Sequence, residues 1–397
     1  MTDPRFNDPI TRSQLLRRAA AGGAALTLPS LIAACGGSSG IQGQANTSAT
    51  TTQIKRQLAS TLRFSNWPEY IDVDDKGNRP SLDQFTKQTG VKVKYIEDIN
   101  DNDSFFGKIQ GPLSHGQPIG RDIIVLTDSS GLPARMIKLG WLEKLDKQSI
   151  PNMKNLQDAL AHPTWDKNRD YSLPWQSGMT GIGYDPKRTG GDITTIDQLL
   201  TDPKLKGKVT LLTEMSDTVG VVMQANGDDP TNVTDESFDR AIKTIQDAVD
   251  SGQVRQFTGN DYITLLPKGD AWASLSWSGD LVQLQADNPN LKWNLADSGG
   301  MIWTDNMLIP KGGDVYTASV YMNFVYDPEI AAEIEDWVNY ICPVKGADKV
   351  LLAQDPDVAK NTLIFPTDEM LANVKIFDAK ALNNKDYKEK FQALIGA

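Results

Sequence analysis

The sequence predicts an α/β fold in two lobes, each a mainly parallel sheet flanked by helices. Three observations carry this expectation. From residue 61 onward, strand-like runs alternate with helical periodicity, the βαβ rhythm that lays helices on the faces of a parallel sheet. "DIIVLT", residues 122–127, is an almost unbroken apolar run, suited to a strand covered on both faces. The part that can fold is about 340 residues long, too large for one simple core.

Taken in order, "LRFSNW" (62–67) reads as the first strand. "SLDQFTKQTG" (81–90) reads as a helix, with Leu82 and Phe85 on its apolar face and Gly90 closing it. "VKVKYIED" (91–98) alternates as a half-buried strand does, and "RDIIVLTD" (121–128) follows as a fully covered one. "SSGLPARMIKLGWLEKLD" (129–146) opens on Ser, Gly and Pro and continues as a helix. "DYSLPWQSGMTGIGYDP" (170–186) breaks the rhythm with Pro174, Gly178, Gly181 and Gly183 and is expected to be the first crossing between lobes. The second lobe begins at "KVTLLTE" (208–214), followed by helices over 217–226 and 235–252. The latter places Phe238, Ile242, Ile245 and Val249 at helical spacing and ends on Gly252. "AWASLSWSGD" (271–280) and "KWNLADSGGMIWTDNMLIP" (292–310) read as strand-like segments ending in turn residues, and two helices follow over 314–327 and 328–343. The expected division is 61–176 with 303–350 for one lobe and 177–302 with 351–397 for the other.

The residues ahead of the first strand have a different character. Arg5, Arg12, Arg17 and Arg18 precede the charge-free apolar run 19–34, which is too short and Gly-rich for a membrane span but suits the core of an export signal. "LIAAC" then leads to Cys35 and "GGSSG", resembling the lipobox of bacterial lipoproteins, in which the Cys is acylated and becomes the N-terminus. "TRSQLLRR" (11–18) resembles a degraded twin-arginine motif, with Ser13 where the second Arg belongs, so the general and twin-arginine export routes both stay open. Residues 36–60 are mostly Gly, Ser, Thr, Gln and Asn, the composition of a flexible tether. A signal peptide over 1–35, lipidation at Cys35 and a tether over 36–60 place the folded part outside a membrane and attached to it, in the cell envelope.

The chain has a net charge of −11 and becomes more acidic once the four leader arginines are removed. An acidic surface argues against nucleic-acid binding and is compatible with cationic ligands. Beyond Cys35 only Cys342 remains, so no intramolecular disulfide forms in the folded part. Cys342, in "YICPV", reads as a small buried hydrophobe.

Catalytic motifs are scarce. His115 and His162 are the only histidines, both in polar loop-like stretches, and no CxxC, HExxH, P-loop, GxSxG or dinucleotide fingerprint occurs. "DVDDKGNRPSLD" (72–83) faintly resembles a calcium loop, but Lys76 holds a ligand position and the last residue is Asp83, so a solvated acidic turn is expected. No metal, cofactor or enzyme chemistry is expected, although the many carboxylates leave a glycoside hydrolase without a named centre as an alternative.

The aromatics carry more. "NWPEY", "SWSGD" and "IWTDN" each set an aromatic beside a carboxylate and small or polar residues, and Trp67, Trp175, Trp277, Trp293 and Trp303 fall at strand ends or crossings. Ligands of open α/β sheets sit beyond the carboxyl ends of the strands. There, aromatic faces bury alkyl chains and attract ammonium groups, while carboxylates fix the charged ends.

With these motifs in this order, over roughly residues 61–397, the chain resembles the bacterial extracellular solute-binding proteins of ABC importers, in the spermidine/putrescine-binding branch. The segments that carry the resemblance are "SNWPEYI", "FTKQTGVKV", "DIIVLTDSS", "YSLPWQSGMTGIGYD", "GKVTLLTE", "SWSGD" and "GGMIWTDNMLIP". The resemblance implies a two-lobed periplasmic-binding-protein fold with the ligand in the cleft between lobes. It implies that Trp67, Tyr70, Trp277 and Trp303 line that cleft, that Asp305 is the main amine anchor, and that Tyr340 joins them.

There are departures. Where the family carries an acid and then a glutamate after "LLT", this chain has Met215 and Thr218, with Glu214 and Asp217 beside them as candidate substitutes. Where the family carries polar residues and an aromatic after "DIIVL", it has Thr127, Asp128 and Ser129. The expected ligand-binding set is therefore Trp67, Tyr70, Asp128, Trp175, Glu214, Asp217, Trp277, Trp303, Asp305 and Tyr340. The expected partners are a small cationic ligand of polyamine type and the membrane permease subunits, with the receptor itself a monomer. A receptor for a sugar or another neutral solute, and a receptor repurposed for sensing or adhesion, remain as alternatives.

Overall fold

The continuously apolar runs become strands of a single mixed sheet. The computed structural model describes residues 55–396; the expected signal peptide, Cys35 and most of the expected tether lie outside the described residues. The strands are β1 (Thr61–Asn66), β2 (Lys92–Glu97), β3 (Ile123–Thr127), β4 (Ser172–Tyr184), β5 (Val209–Leu212), β6 (Val254–Thr258), β7 (Ala273–Trp277), β8 (Lys292–Asn294), β9 (Gly300–Leu308) and β10 (Val374–Lys375). Their order is β2-β1-β3-β9-β4-β7-β5-β6, with β10 on β9 and β8 on β4.

The sheet has two halves joined by its two longest strands. Within β2-β1-β3 and within β7-β5-β6 every pair is parallel, as the βαβ rhythm predicts. All the antiparallel pairs involve β4 or β9. β4 pairs with β9 over Ser172–Thr180 and with β7 over Thr180–Tyr184, so it carries the chain from one half to the other. The expected lobe boundaries at 176/177 and 302/303 fall inside β4 and β9.

The segment expected to break the rhythm, 170–186, is thus the longest strand, and all thirteen of its strand residues are buried. Its breakers have packing reasons. Pro174 stands at a register shift, where a missing N–H is tolerated. The glycines admit large rings: a Cβ on Gly178 would lie 2.5 Å from the Trp303 ring, and one on Gly181 would lie 2.5 Å from Trp293.

Helix ends also follow local chemistry. Gly90 closes Pro80–Thr89 at φ 77°, donating its N–H to the Thr86 carbonyl. Thr234 opens Asp235–Asp250 with a capping box. Two expectations are corrected. The helix expected across 129–146 spans only Leu132–Lys138, because Gly140 takes φ 71° and turns the chain. "SGD" after Trp277 is not a terminal turn but the first turn of the helix Ser278–Asp287, which puts Asp280 at a helix N-terminus. The C-terminal helix Lys385–Ile395 packs on Asp235–Asp250, with Tyr387 stacked on Phe238 at 4.0 Å.

Candidate ligand-binding site

The carboxyl ends of the strands converge where the two halves meet, and the aromatic motifs come together there. β1 delivers Trp67 and Tyr70, β7 delivers Trp277, β9 carries Trp303 and Asp305, and the chain after the helix Pro328–Val338 returns Tyr340. With Pro68, Asn102, Thr127, Glu214, Asp217, Asn260 and Asp280 they line one cavity with an empty volume of about 380 Å³. The space it leaves for water-sized molecules is only about 30 Å³, so the rings and acids themselves fill most of the site. The cleft is closed over it: Trp67, Trp277 and Trp303 are each only 6% exposed.

Three of the ring pairs meet edge to face and the Trp303–Tyr340 pair is tilted. Trp277 lies 6.1 Å from Trp67 and 6.0 Å from Trp303, and Tyr340 lies 5.1 Å from Tyr70 and 5.8 Å from Trp303. Such pairs stiffen an apolar wall. Each carboxylate is then oriented by neutral donors. Asp305 accepts from the Tyr70 hydroxyl at 2.8 Å and from Thr127 Oγ1 at 2.7 Å. Asp217 accepts from Thr180 Oγ1 at 2.8 Å and from Trp277 Nε1 at 3.1 Å. Asp280 accepts from the hydroxyls of Tyr340 at 2.6 Å and Tyr262 at 2.5 Å, and from Asn260 Nδ2 at 3.1 Å. Glu214 Oε1 accepts from Asn102 Nδ2 at 2.9 Å and from its backbone N–H at 3.3 Å.

Among the described residues, four acids and no Lys, Arg or His line the cavity. Desolvation dominates their titration. Burial pushes Asp305 up to about 7 against the pull of Thr127 and Tyr70, and Asp217 up to about 6 against Trp277 and Thr180. Burial likewise raises Asp280, and burial together with Asp101 and Asp103 raises Glu214. A carboxylate has about four acceptor positions, so Asp305 and Asp217, with two donors each, keep room for more. The arrangement suits a small organic cation, with ring faces for its alkyl part and carboxylates for its ends.

Eight of the ten expected site residues line the cavity: Trp67, Tyr70, Glu214, Asp217, Trp277, Trp303, Asp305 and Tyr340. Two stand behind it. Trp175 is buried against Phe64 and donates Nε1–H to the Tyr70 carbonyl at 3.2 Å, bracing that wall. Asp128 turns from the cavity to accept the Thr304 N–H at 2.9 Å. Of the altered family positions, Met215 lines an outer groove and Thr218 binds the Leu212 backbone, so neither reaches the cavity. Asn260 and Asn102 lie outside the sequence expectations; Asp280 is the carboxylate of the "SWSGD" motif, but its segment is expected to end in a turn and it is absent from the expected binding set.

The other candidates have plain roles. Asp72 accepts from the Ser81 amide and hydroxyl, and Asp74 from Lys76 and Asn78, so the calcium-like loop spends its carboxylates internally. His115 and His162 are exposed. Cys342 is buried and unbridged.

The chain is similar to known proteins over most of its length. The chain is 28% identical over 337 residues to the putrescine-binding periplasmic protein SpuD of Pseudomonas aeruginosa, covering 80% of this chain and 86% of that protein. It is 25% identical over 338 residues to the spermidine/putrescine-binding periplasmic protein of Escherichia coli, covering 84% and 91%. Among solved structures, a putative spermidine/putrescine ABC transporter from Listeria monocytogenes superposes with a TM-score of 0.73 at 25% identity, over 85% of this chain and 99% of that one. The Tp0655 lipoprotein of Treponema pallidum shares the two-lobed fold with a TM-score of 0.70 at 18% identity, over 85% and 100%. These are binding proteins of transporters, not enzymes. The model of the bacterial extracellular solute-binding protein family matches residues 81–366, well over half of the sequence, and the chain belongs to that family.

Proposed function

We propose that this protein is the substrate-binding component of an ABC importer for a small polyamine of putrescine type, held in the interlobe cavity and passed to a membrane permease. The observation that carries the reading is the charge balance of the cavity: among the described residues it is lined by four buried carboxyls, by Trp and Tyr walls, and by no basic side chain. A ligand that brings two positive charges on an alkyl chain satisfies both features at once. In this reading Asp305 takes one ammonium end, Asp217 and Asp280 take the other, and the rings of Trp67, Tyr70, Trp277, Trp303 and Tyr340 bury the methylenes between them. The names of the relatives, putrescine- and spermidine/putrescine-binding proteins, support the same ligand class. Closure is a hinge motion at β4 and β9, the two strands shared by both halves.

In the cell, residues 1–35 direct export, Cys35 carries the lipid and the tether over 36–60 leaves a monomeric receptor free to meet its permease. Titration calorimetry with putrescine, spermidine, agmatine and a panel of sugars tests the ligand. Amine binding that falls at least about a hundredfold in Asp305→Asn supports the reading, since that change removes a desolvated charge partner. Undiminished amine binding by that variant, or binding of sugars alone, overturns it.

A further inference from the structure

Glu214 differs from the other three cavity acids in its partner. Asp217 and Asp305 are oriented by donors of their own half, and Asp280 by Tyr262 and Asn260 of its own half as well as by Tyr340, whereas both donors to Glu214 come from across the cleft. It precedes the helix Met215–Ala225, after β5, and its carboxylate meets Asn102, the first residue of the helix Asn102–Ser114 in the other half of the sheet. Asn102 offers two donors to the same oxygen, its side-chain amide and its backbone N–H. That N–H is one of the orphan donors at a helix N-terminus, where a carboxylate is also favoured by the dipole. The helix's own cap, Asp101, is committed to the Ser104 N–H at 2.8 Å, so it does not compete for Asn102.

The position of Glu214 gives the contact a meaning. It is shared between the inner cavity and a larger outer groove, so it stands on the seam between ligand space and solvent. Thr213 beside it reaches Asp101 at 3.2 Å across the same seam. Asn102 is also wired to the ligand end. Its Oδ1 accepts the Thr127 N–H at 3.1 Å and its Nδ2 donates to Thr127 Oγ1 at 2.8 Å, which directs the single hydroxyl proton of Thr127 onto Asp305. Burial, with Asp101 and Asp103 nearby, pushes the Glu214 carboxyl well above its usual range and so favours its neutral form.

We propose that Glu214 and Asn102 form the latch that holds the cleft shut, with Glu214 a closure residue rather than a ligand anchor and Asn102 the positioning residue that joins the latch to Asp305. The latch rests on the polyamine-receptor reading, because it is closure over that ligand which it prolongs. Opening the hinge separates Glu214 from Asn102, whereas Asp305 and Asp217 keep the donors on their own walls and Asp280 keeps Tyr262 and Asn260.

The test is a double-mutant cycle read by stopped-flow dissociation of putrescine from the full protein. Losing a buried hydrogen bond across the seam should speed release roughly tenfold in Glu214→Ala, with association within about a factor of three of wild type. Glu214→Gln keeps an acceptor for Asn102 and should restore most of the slow release. In an Asn102→Ala background, Glu214→Ala should add less than about twofold, because its partner is already gone. Two results overturn the latch: Glu214→Gln releasing ligand as fast as Glu214→Ala, or Glu214→Ala costing as much without Asn102 as with it. Either marks a direct anchor for the ligand's charge. The comparison of Gln with Ala decides by itself if Asn102→Ala folds poorly. Putrescine that fails to bind the wild-type protein removes both the receptor reading and the latch, whereas normal wild-type binding with a failed cycle removes the latch alone.

Discussion

Cation affinity should depend steeply on pH between 5 and 8, and the direction follows from the cavity. Alkyl ammonium groups titrate near the lysine value of about 10.4, so a diamine stays doubly charged over this range. The carboxyls change instead. Asp305 titrates at about 7 and Asp217 at about 6 in the ligand-free cavity, both raised first by burial. A bound ammonium needs them ionised. At pH 8 Asp305 is already mostly ionised, whereas at pH 5 about two units of protonation must be reversed, near 2.7 kcal/mol or about a hundredfold in affinity. If Asp217 must ionise as well, the loss approaches about a thousandfold. Calorimetric titration with putrescine at pH 5, 6, 7 and 8 reads this directly. Repeating the pH 6.5 titration in two buffers of different ionisation heat should show release of close to one proton per ligand. A flat profile, or proton uptake on binding, would refute the placement of the ammonium against Asp305.

The same carboxyls should weaken the ligand-free fold. A carboxyl raised in the folded state gives a favourable contribution that is complete below pH of about 4 and lost as pH rises through the folded value, about 7 for Asp305. Asp305→Asn should therefore raise the melting temperature of the ligand-free protein at pH 8, leave it almost unchanged at pH 4, and abolish amine binding; a lower melting temperature at pH 8 would contradict the assignment. Gly178→Ala should push Trp303 from its seat, since the new Cβ would sit 2.5 Å from the indole, and weaken ligand binding at least about tenfold with a stability loss of about 1–3 kcal/mol. Unchanged affinity in Gly178→Ala would show that Trp303 does not form the ligand wall. Cys35→Ala should move the protein from the membrane fraction to the soluble envelope fraction, and continued membrane retention would exclude the lipid anchor.

The legible strands are apolar or alternating runs with their own end signals, whereas β6, β10 and the helices Asn102–Ser114 and Lys385–Ile395 drew no expectation. "DIIVLT" could only be a covered strand, and all five residues of β3 are buried. The glycine-rich stretch 170–186 was misleading because its glycines respond to tertiary neighbours, the indoles of Trp303 and Trp293, which a local reading does not contain. The same limit shaped the candidate site. Trp67, Tyr70, Trp277, Trp303 and Asp305 announced themselves as aromatics beside acids at strand ends. Asp280 looked like a turn residue because its meaning comes from Tyr262 and Tyr340, eighteen and sixty positions away. Asn102 carried no local signal at all, since its partners Thr127 and Glu214 lie on opposite sides of the cleft. Trp175, legible as an aromatic at a crossing, braces the Tyr70 wall from behind, a distinction of layers that spacing cannot express.

The central claim is that the closed acidic cavity takes a small organic cation. Thermal unfolding of the unmodified protein against putrescine, spermidine, spermine, agmatine and several sugars tests it most directly. At a hundredfold excess over its dissociation constant, a true ligand stabilises the fold by about 2.7 kcal/mol, enough to displace the midpoint clearly. The account predicts such a shift with at least one diamine and none with the sugars. A shift with sugars alone, or no shift with any amine, would contradict it.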